Sequence, residues 1–239
     1  MITQNGGAKG FTLVELIMAL AVGVVVVTAI WTAVVFGQRS SAGIERKVTT
    51  NQDTRMALEI MATEIRMASC NQNLVETMWL NPTNCNVAGN TTYKGIQEAS
   101  ADAITIEMDS NNDSNCSGPN EIIRYAYVAN ANMITRETIN CSTGVPNSSG
   151  AQPFLGPIAG ARTVEVVNLT GGVPFLRYFN NAGQEIPTAS LPAGIPQIRR
   201  IEIALLVRSE LVDPTTGQPR RVAYSTSVVP RNHGIIFKR

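Results

Sequence analysis

The stretch from Gly10 to Phe36, GFTLVELIMALAVGVVVVTAIWTAVVF, constrains the rest of the chain. Between Lys9 and Arg39 its only charged side chain is Glu15. A helix rises about 1.5 Å per residue, so Phe11 to Phe36 makes a rod roughly 39 Å long. That crosses a hydrocarbon core of about 30 Å with some tilt. It exceeds the apolar region of a signal peptide, about 7–15 residues, so it reads as a span kept in the mature protein. Glu15 is the anomaly. A carboxylate forced to the bilayer centre costs about 2.5–3.5 kcal/mol, so it either snorkels to the headgroups or is kept for a partner.

The residues around Glu15 choose between these. A short polar leader with a basic residue, Met1 to Lys9, runs into Gly10, then Phe11, with Glu15 the fifth residue after the glycine. This KGFTLVE stretch resembles the leader-peptidase site of type IV pilins and of the pseudopilins of type II secretion. The resemblance implies cleavage between Gly10 and Phe11 by a prepilin peptidase and methylase, with N-methylation of the new amine on Phe11. It implies that Glu15 accepts the N-terminal amine of a neighbouring subunit in the assembled filament. The electrostatics agree, because a carboxylate in lipid is unfavourable alone and tolerable beside an ammonium. Pairing it would also report axial register, as a buried polar group does in a coiled coil.

Beyond the span the sequence divides into an upper helix (37–70) and a β-rich head (71–239), after the leader (1–10) and the assembly helix (11–36). In residues 44–69, Leu58, Met61, Ile65 and Ala68 follow helical spacing and form one apolar stripe, with Arg55, Glu59 and Arg66 largely off it. One helix from Phe11 to about Ser69 follows, its upper half laid on a sheet. Residues 71–101 carry Asn-rich runs, Pro82, Gly89 and Gly95, and read as loop with short elements. AITIEM (103–108) alternates as a strand. EIIRYAYV (121–128) and NMITRETI (132–139) flank a short link as a hairpin. Ser142 to Gly160 is loop. Thr163–Leu169 and Pro174–Asn180 read as two strands joined by Thr170-Gly171-Gly172. Arg200–Arg208 and 220–229 alternate as two more, separated by DPTTGQP. The fold class is α+β: a long N-terminal transmembrane helix packed on an antiparallel sheet, the pilin fold. RRIEIALLV, a polar loop, then RRVAYSTSVVPRN further resembles the PilW/PulJ group of minor pilins and pseudopilins.

Four cysteines, Cys70, Cys85, Cys116 and Cys141, all lie after the span. Lys9 before the span weakly orients the bulk of the chain away from the cytoplasm, and the pilin resemblance implies the same. An even cysteine count there reads as disulfides. Three pairings are open. Cys70–Cys85 and Cys116–Cys141 are preferred: the first ties a loop to the helix end, and the second brackets the 121–139 hairpin. In DSNNDSNCSGPNE, Asp109, Asn111, Asp113 and Asn115 stand at alternate positions, a spacing that suits a calcium loop. An EF-hand would want glycine at Ser114 and glutamate at Asn120, whereas Glu121 comes one place late. An Asx-rich turn capping its own backbone is the other reading.

Charge is uneven. Residues 71–140 hold eight acids and three bases, whereas the chain from Arg199 holds eight bases and three acids. These are two solvated surfaces, or head-to-tail complementarity between unlike subunits. Net charge is small, which argues against nucleic acid. His233 is the lone histidine and reads as a solvated tail residue, so a catalytic triad or histidine-rich zinc site has little to rest on. No phosphate loop or dinucleotide fingerprint occurs, so no enzyme is expected. The resemblance implies a minor pilin that primes pilus assembly and sits at the filament tip, with other minor pilins and the major pilin as partners. It would reside in the inner membrane with a periplasmic head before assembly and in the extracellular pilus afterwards. The resemblance also implies a minor over a major subunit, because many major pilins carry a proline in the second half of the span and this one has none. A J-like pseudopilin of type II secretion is the nearest alternative; a tip adhesin using loops 71–101 and 142–160 is another.

Overall fold

A computed structural model describes residues 10–157, 164–212 and 218–234, without the side chains of 39, 42–47, 49 and 209–212. The chain divides into two compact units, Met1–Val48 and Thr49–Arg239. The boundary falls within α1 (Leu13–Met67). No proline occurs before Pro82, so nothing in the sequence breaks the backbone ladder of α1. In the first unit, Leu13–Gln38 is long and apolar enough to cross a membrane, and its apolar side chains are exposed.

In the second unit, α1 ends where Ser69 turns into the left-handed region at φ 64°. Such a residue commonly closes a helix, although glycine is the usual choice. Ser69 is held there by its own contacts. Its N–H donates to Glu107 O at 2.9 Å, and its hydroxyl accepts from Gly95 N at 3.2 Å. A Cβ on Gly95 would come within 2.5 Å of Ser69 N, so only glycine fits this approach. Leu58, Met61, Ile65 and Ala68 are all buried, as their spacing predicts.

The strands form three antiparallel groups. A small pair joins β1 (Leu80–Asn81) to β2 (Asn84–Ala88). The first large sheet comprises β3 (Ile96–Ala99), β4 (Ala103–Glu107), β5 (Ile122–Val128), β6 (Met133–Asn140), β7 (Asn147–Ser148) and β8 (Gln152–Leu155). Its order is β3-β4-β5-β6-β7, with β8 also on β6. The second comprises β9 (Glu165–Val166), then, after the short helix α2 (Asn168–Gly171), β10 (Leu176–Phe179), β11 (Glu185–Ile186), β12 (Arg200–Val212) and β13 (Pro219–Val228). Its order is β11-β10-β12-β13, with β9 on β12. Every residue of β4 is buried, because the strand sits inside its sheet and beneath other layers.

One core joins Met61 and Ile65 of α1 to Ile104, Ile106 and Tyr125 of the first sheet and Tyr178, Ile201 and Ile203 of the second. Arg136 and Glu64 form a bidentate pair, the shorter contact 2.8 Å, pinning β6 to α1. Tyr178 Oη donates to Ser100 O at 2.9 Å, joining the two sheets. Of the two strands expected over Thr163–Leu169 and Pro174–Asn180, the second forms as β10, but the two do not pair with each other. Of the first, Thr163 lies outside the described residues, only Glu165–Val166 is strand and pairs with β12, and Asn168–Gly171 is helical. Asn168 explains the change: buried, it donates to Ala204 O at 2.7 Å and accepts from Leu206 N at 2.8 Å, mimicking a strand partner for β12. The 142–160 loop is likewise partly ordered, as β7 and β8 on β6.

Candidate functional site

Gly10, Phe11 and Thr12 precede the first helical residue. Thr12 N and Thr12 Oγ1 each donate to Glu15 Oε2 at 2.9 Å, and Glu15 N donates to Thr12 Oγ1 at 3.3 Å. This reciprocal arrangement is a capping box, with Thr12 at the cap and Glu15 three residues on. It holds the Gly10–Phe11 peptide just outside the helix. Phe11 is 91% exposed, and a Cβ at Gly10 would touch nothing. Among the described residues, nothing therefore demands glycine at position 10. Both bonds from Thr12 use one carboxylate oxygen of Glu15. Oε1 accepts no bond among the described residues, leaving a lone-pair site for an outside donor.

The cysteines depart from the expected pairing. Cys85 is bonded to Cys141 across 56 residues, with Cα atoms 5.4 Å apart. Cys70 and Cys116 are free thiols. The reason is a layer that hairpin logic does not foresee. The β1–β2 pair folds over the open end of the β5–β6 hairpin, where Ile122 faces Ile139. Met78, Trp79, Cys85, Cys116, Ile122, Ile139 and Cys141 form one satellite core there. Cys116 is close to Cys141 in the backbone, since Cys141 N donates to Ser117 O at 2.9 Å, but the Cys141 sulfur is taken by Cys85. Burial, then the carboxylates Glu107, Glu121, Asp109 and Asp113, push the Cys116 thiol well above its ordinary range. Cys70 packs on the main core instead, and its carbonyl accepts from Asp109 N at 2.9 Å.

Of the four residues of the expected calcium loop, the structure gathers two. Carboxylate oxygens of Asp109, Asp113 and Glu121 lie within 4.8 Å of one another. Asn111 and Asn115 are engaged elsewhere: Asn111 Oδ1 accepts from Asp113 N at 2.9 Å, and Asn115 Oδ1 from Ser117 N at 2.8 Å. Glu121, which spacing placed one position late, joins the cluster because the loop folds back to the start of β5. The chemistry of the donors suits a hard cation. The loop also satisfies itself. Asp109 accepts from Asp113 N and Ser114 N, and Glu121 from Ser110 N and Gly118 N. That is the behaviour of an Asx-rich turn.

His233 is not a solvated tail residue; it is 1% exposed. Its Nδ1 lies 3.0 Å from Ser69 Oγ and its Nε2 2.8 Å from Ile195 O. A carbonyl can only accept, so Nε2 carries the proton and Nδ1 accepts from Ser69. Burial pushes its pKa down to about 4; the Ile195 carbonyl opposes that shift, and Arg199 and Lys94 add to it. The imidazole is backed by the Ile195 carbonyl and shielded from solvent, so the Ser69–His233 pair clasps the helix end. Glu107 is also fully buried, and desolvation raises its pKa to about 8 against the Leu80 N–H bond.

Residues 6–31 match the family model of the prokaryotic N-terminal methylation motif. No curated protein and no solved structure matches the chain. The matched stretch contains the leader junction and the capping box. With the apolar helix and antiparallel sheets, it supports a type IV pilin-like protein, processed by a prepilin peptidase and assembling with other pilins.

Proposed function

We propose that this protein is a minor pilin of a type IV pilus, which primes filament assembly and ends at the tip. The observation that carries the reading is the leader junction. Among the described residues, a glycine that no packing requires precedes an exposed Phe11, and Glu15 keeps one oxygen uncommitted. Cleavage after Gly10 creates an ammonium on Phe11, and in a bundle of such helices Glu15 of one subunit pairs with that of the next. The exchange moves the helix from lipid to protein contacts while neutralising its one charge. A Cys85–Cys141 bond suits a head outside the cytoplasm. The protein does no chemistry of its own in this reading; the peptidase and methylase act on it. The PilW/PulJ-like C-terminal pattern and the unbroken span favour a minor subunit.

Intact-mass and N-terminal analysis of sheared surface filaments tests this. A chain starting at methylated Phe11, at low abundance beside a smaller major subunit, is the expected result. A processed chain confined to the envelope would favour a type II secretion pseudopilin, which the same motif serves. A chain still starting at Met1 would end the pilin reading.

A further inference from the structure

The second sheet has one long edge strand, β13, and the hydrogen bonds of its neighbour show which way its backbone points. Ala204 N donates to Phe175 O, Leu206 N to Asn168 Oδ1, and Leu206 O accepts from Val167 N. The even-numbered residues of β12 thus bond away from β13, and its odd-numbered residues bond toward it. Val207 faces Val222, Leu205 faces Tyr224, Ile203 faces Thr226 and Ile201 faces Val228. Antiparallel pairing then turns the N–H and C=O of Arg221, Ala223, Ser225 and Ser227 outward. None of these outward groups has a bond among the described residues, and the four residues are exposed.

Such a row is a template for another strand, and proteins usually guard it with charge, proline or brevity. The guards here sit at one end, Pro219, Arg220 and Arg221. From Val222 to Val228 the run VAYSTSV contains no proline, glycine or charge. That is the pattern of a segment that pairs readily when uncovered. The free edges of β3 and β11 are four and two residues long, against ten for β13. An open groove of about 470 Å³ runs along this edge, lined by Tyr224, Ser225 and Thr226 and by α1 residues including Arg55, Glu59 and Arg66. Successive strand residues point to opposite faces, so all three line one groove only where it follows the edge.

Charge selects the occupant. Among the described side chains that line the groove, Arg55 and Arg66 stand against one acid, Glu59, and Arg220 and Arg221 lie at the start of β13. A second copy of the chain would bring the same cations against them. We propose that β13 docks an extended, acidic strand from a different filament subunit, which continues the second sheet. This rests on the assembly reading above, and names the surface and the kind of partner.

The test places a photo-reactive benzoylphenylalanine at Ser225 of the full chain, in cells that make the other filament subunits, and in parallel at Val22 in the span. The expected result is an adduct from position 225 that maps to an extended, acid-bearing segment of another subunit. Adding Ala223→Pro, which removes an outward N–H and no bond to β12, should cut that adduct at least tenfold with little change in melting temperature. The double reversal Arg220→Glu, Arg221→Glu should cut it as well, and serves if the proline variant misfolds. A Val22 adduct with none from 225 overturns the edge proposal and leaves the assembly reading standing. An adduct to a second copy, or to a helical or basic segment, also overturns it. No adduct from either position defeats the assembly reading and this proposal together.

Discussion

Thr12 and Glu15 cap the same helix turn reciprocally, yet use only one oxygen of the carboxylate. The residue we propose to act in assembly therefore also sets where the helix begins, at Leu13. The two roles separate by substitution. Thr12→Val removes the hydroxyl and should weaken the helix start by about 1 kcal/mol, leaving the Glu15 charge. Glu15→Gln keeps an acceptor for Thr12 but removes the charge. Glu15→Gln and Glu15→Ala should each lower recovery in sheared filaments at equal expression, whereas Thr12→Val should lower it less. Normal recovery of both Glu15 variants would remove the amine-pairing role.

The Cys85–Cys141 bond closes a loop of 56 residues. In the chain-entropy model that is worth about 4 kcal/mol. Non-reducing peptide mapping should return one linked pair, with Cys70 and Cys116 open to alkylation after unfolding. Cys85→Ser should lower the melting temperature of the head markedly, and Cys70→Ser much less. A Cys70–Cys85 peptide would contradict the fold of the β1–β2 layer.

His233 titrates alone as the chain's single histidine, so its ring resonances report it directly. Its folded pKa is depressed to about 4 from an ordinary 6.5. The unfolded chain therefore binds the extra proton first as pH falls. The stability from the neutral imidazole is complete above about pH 6.5 and is lost progressively down to about pH 4. The expected observation is an imidazole with no titration step near 6.5. A step there would mean that the ring is solvated.

We propose calcium as the ion for Asp109, Asp113 and Glu121, in competition with the self-satisfied turn. Binding to the folded form alone would stabilise the head by about 2.7 kcal/mol at a hundredfold excess over Kd. Thermal melting with and without millimolar calcium decides. An upward shift abolished by Asp113→Asn supports the ion, since Asp113 is the exposed member and carries least of the packing. No shift leaves the residues as a turn.

The sequence by itself determined the elements whose cause is local. The apolar run, the stripe of Leu58, Met61, Ile65 and Ala68, and the β5–β6 hairpin each arise within a few turns or strand residues. Helical and strand periodicities therefore reveal them directly. Tertiary structure alone decided the partners. Cys85 meets Cys141, not Cys70, because a two-stranded layer folds over a distant hairpin end. Glu121 joins Asp109 because the loop returns to its own start. His233 is buried because the end of α1, Ile195 and Ser69 converge on it from far along the chain. Asn168 turns a predicted strand into a helix by satisfying β12 with its side chain. Each depends on which buried polar group or sulfur finds its complement in three dimensions, and a one-dimensional spacing carries no information about that.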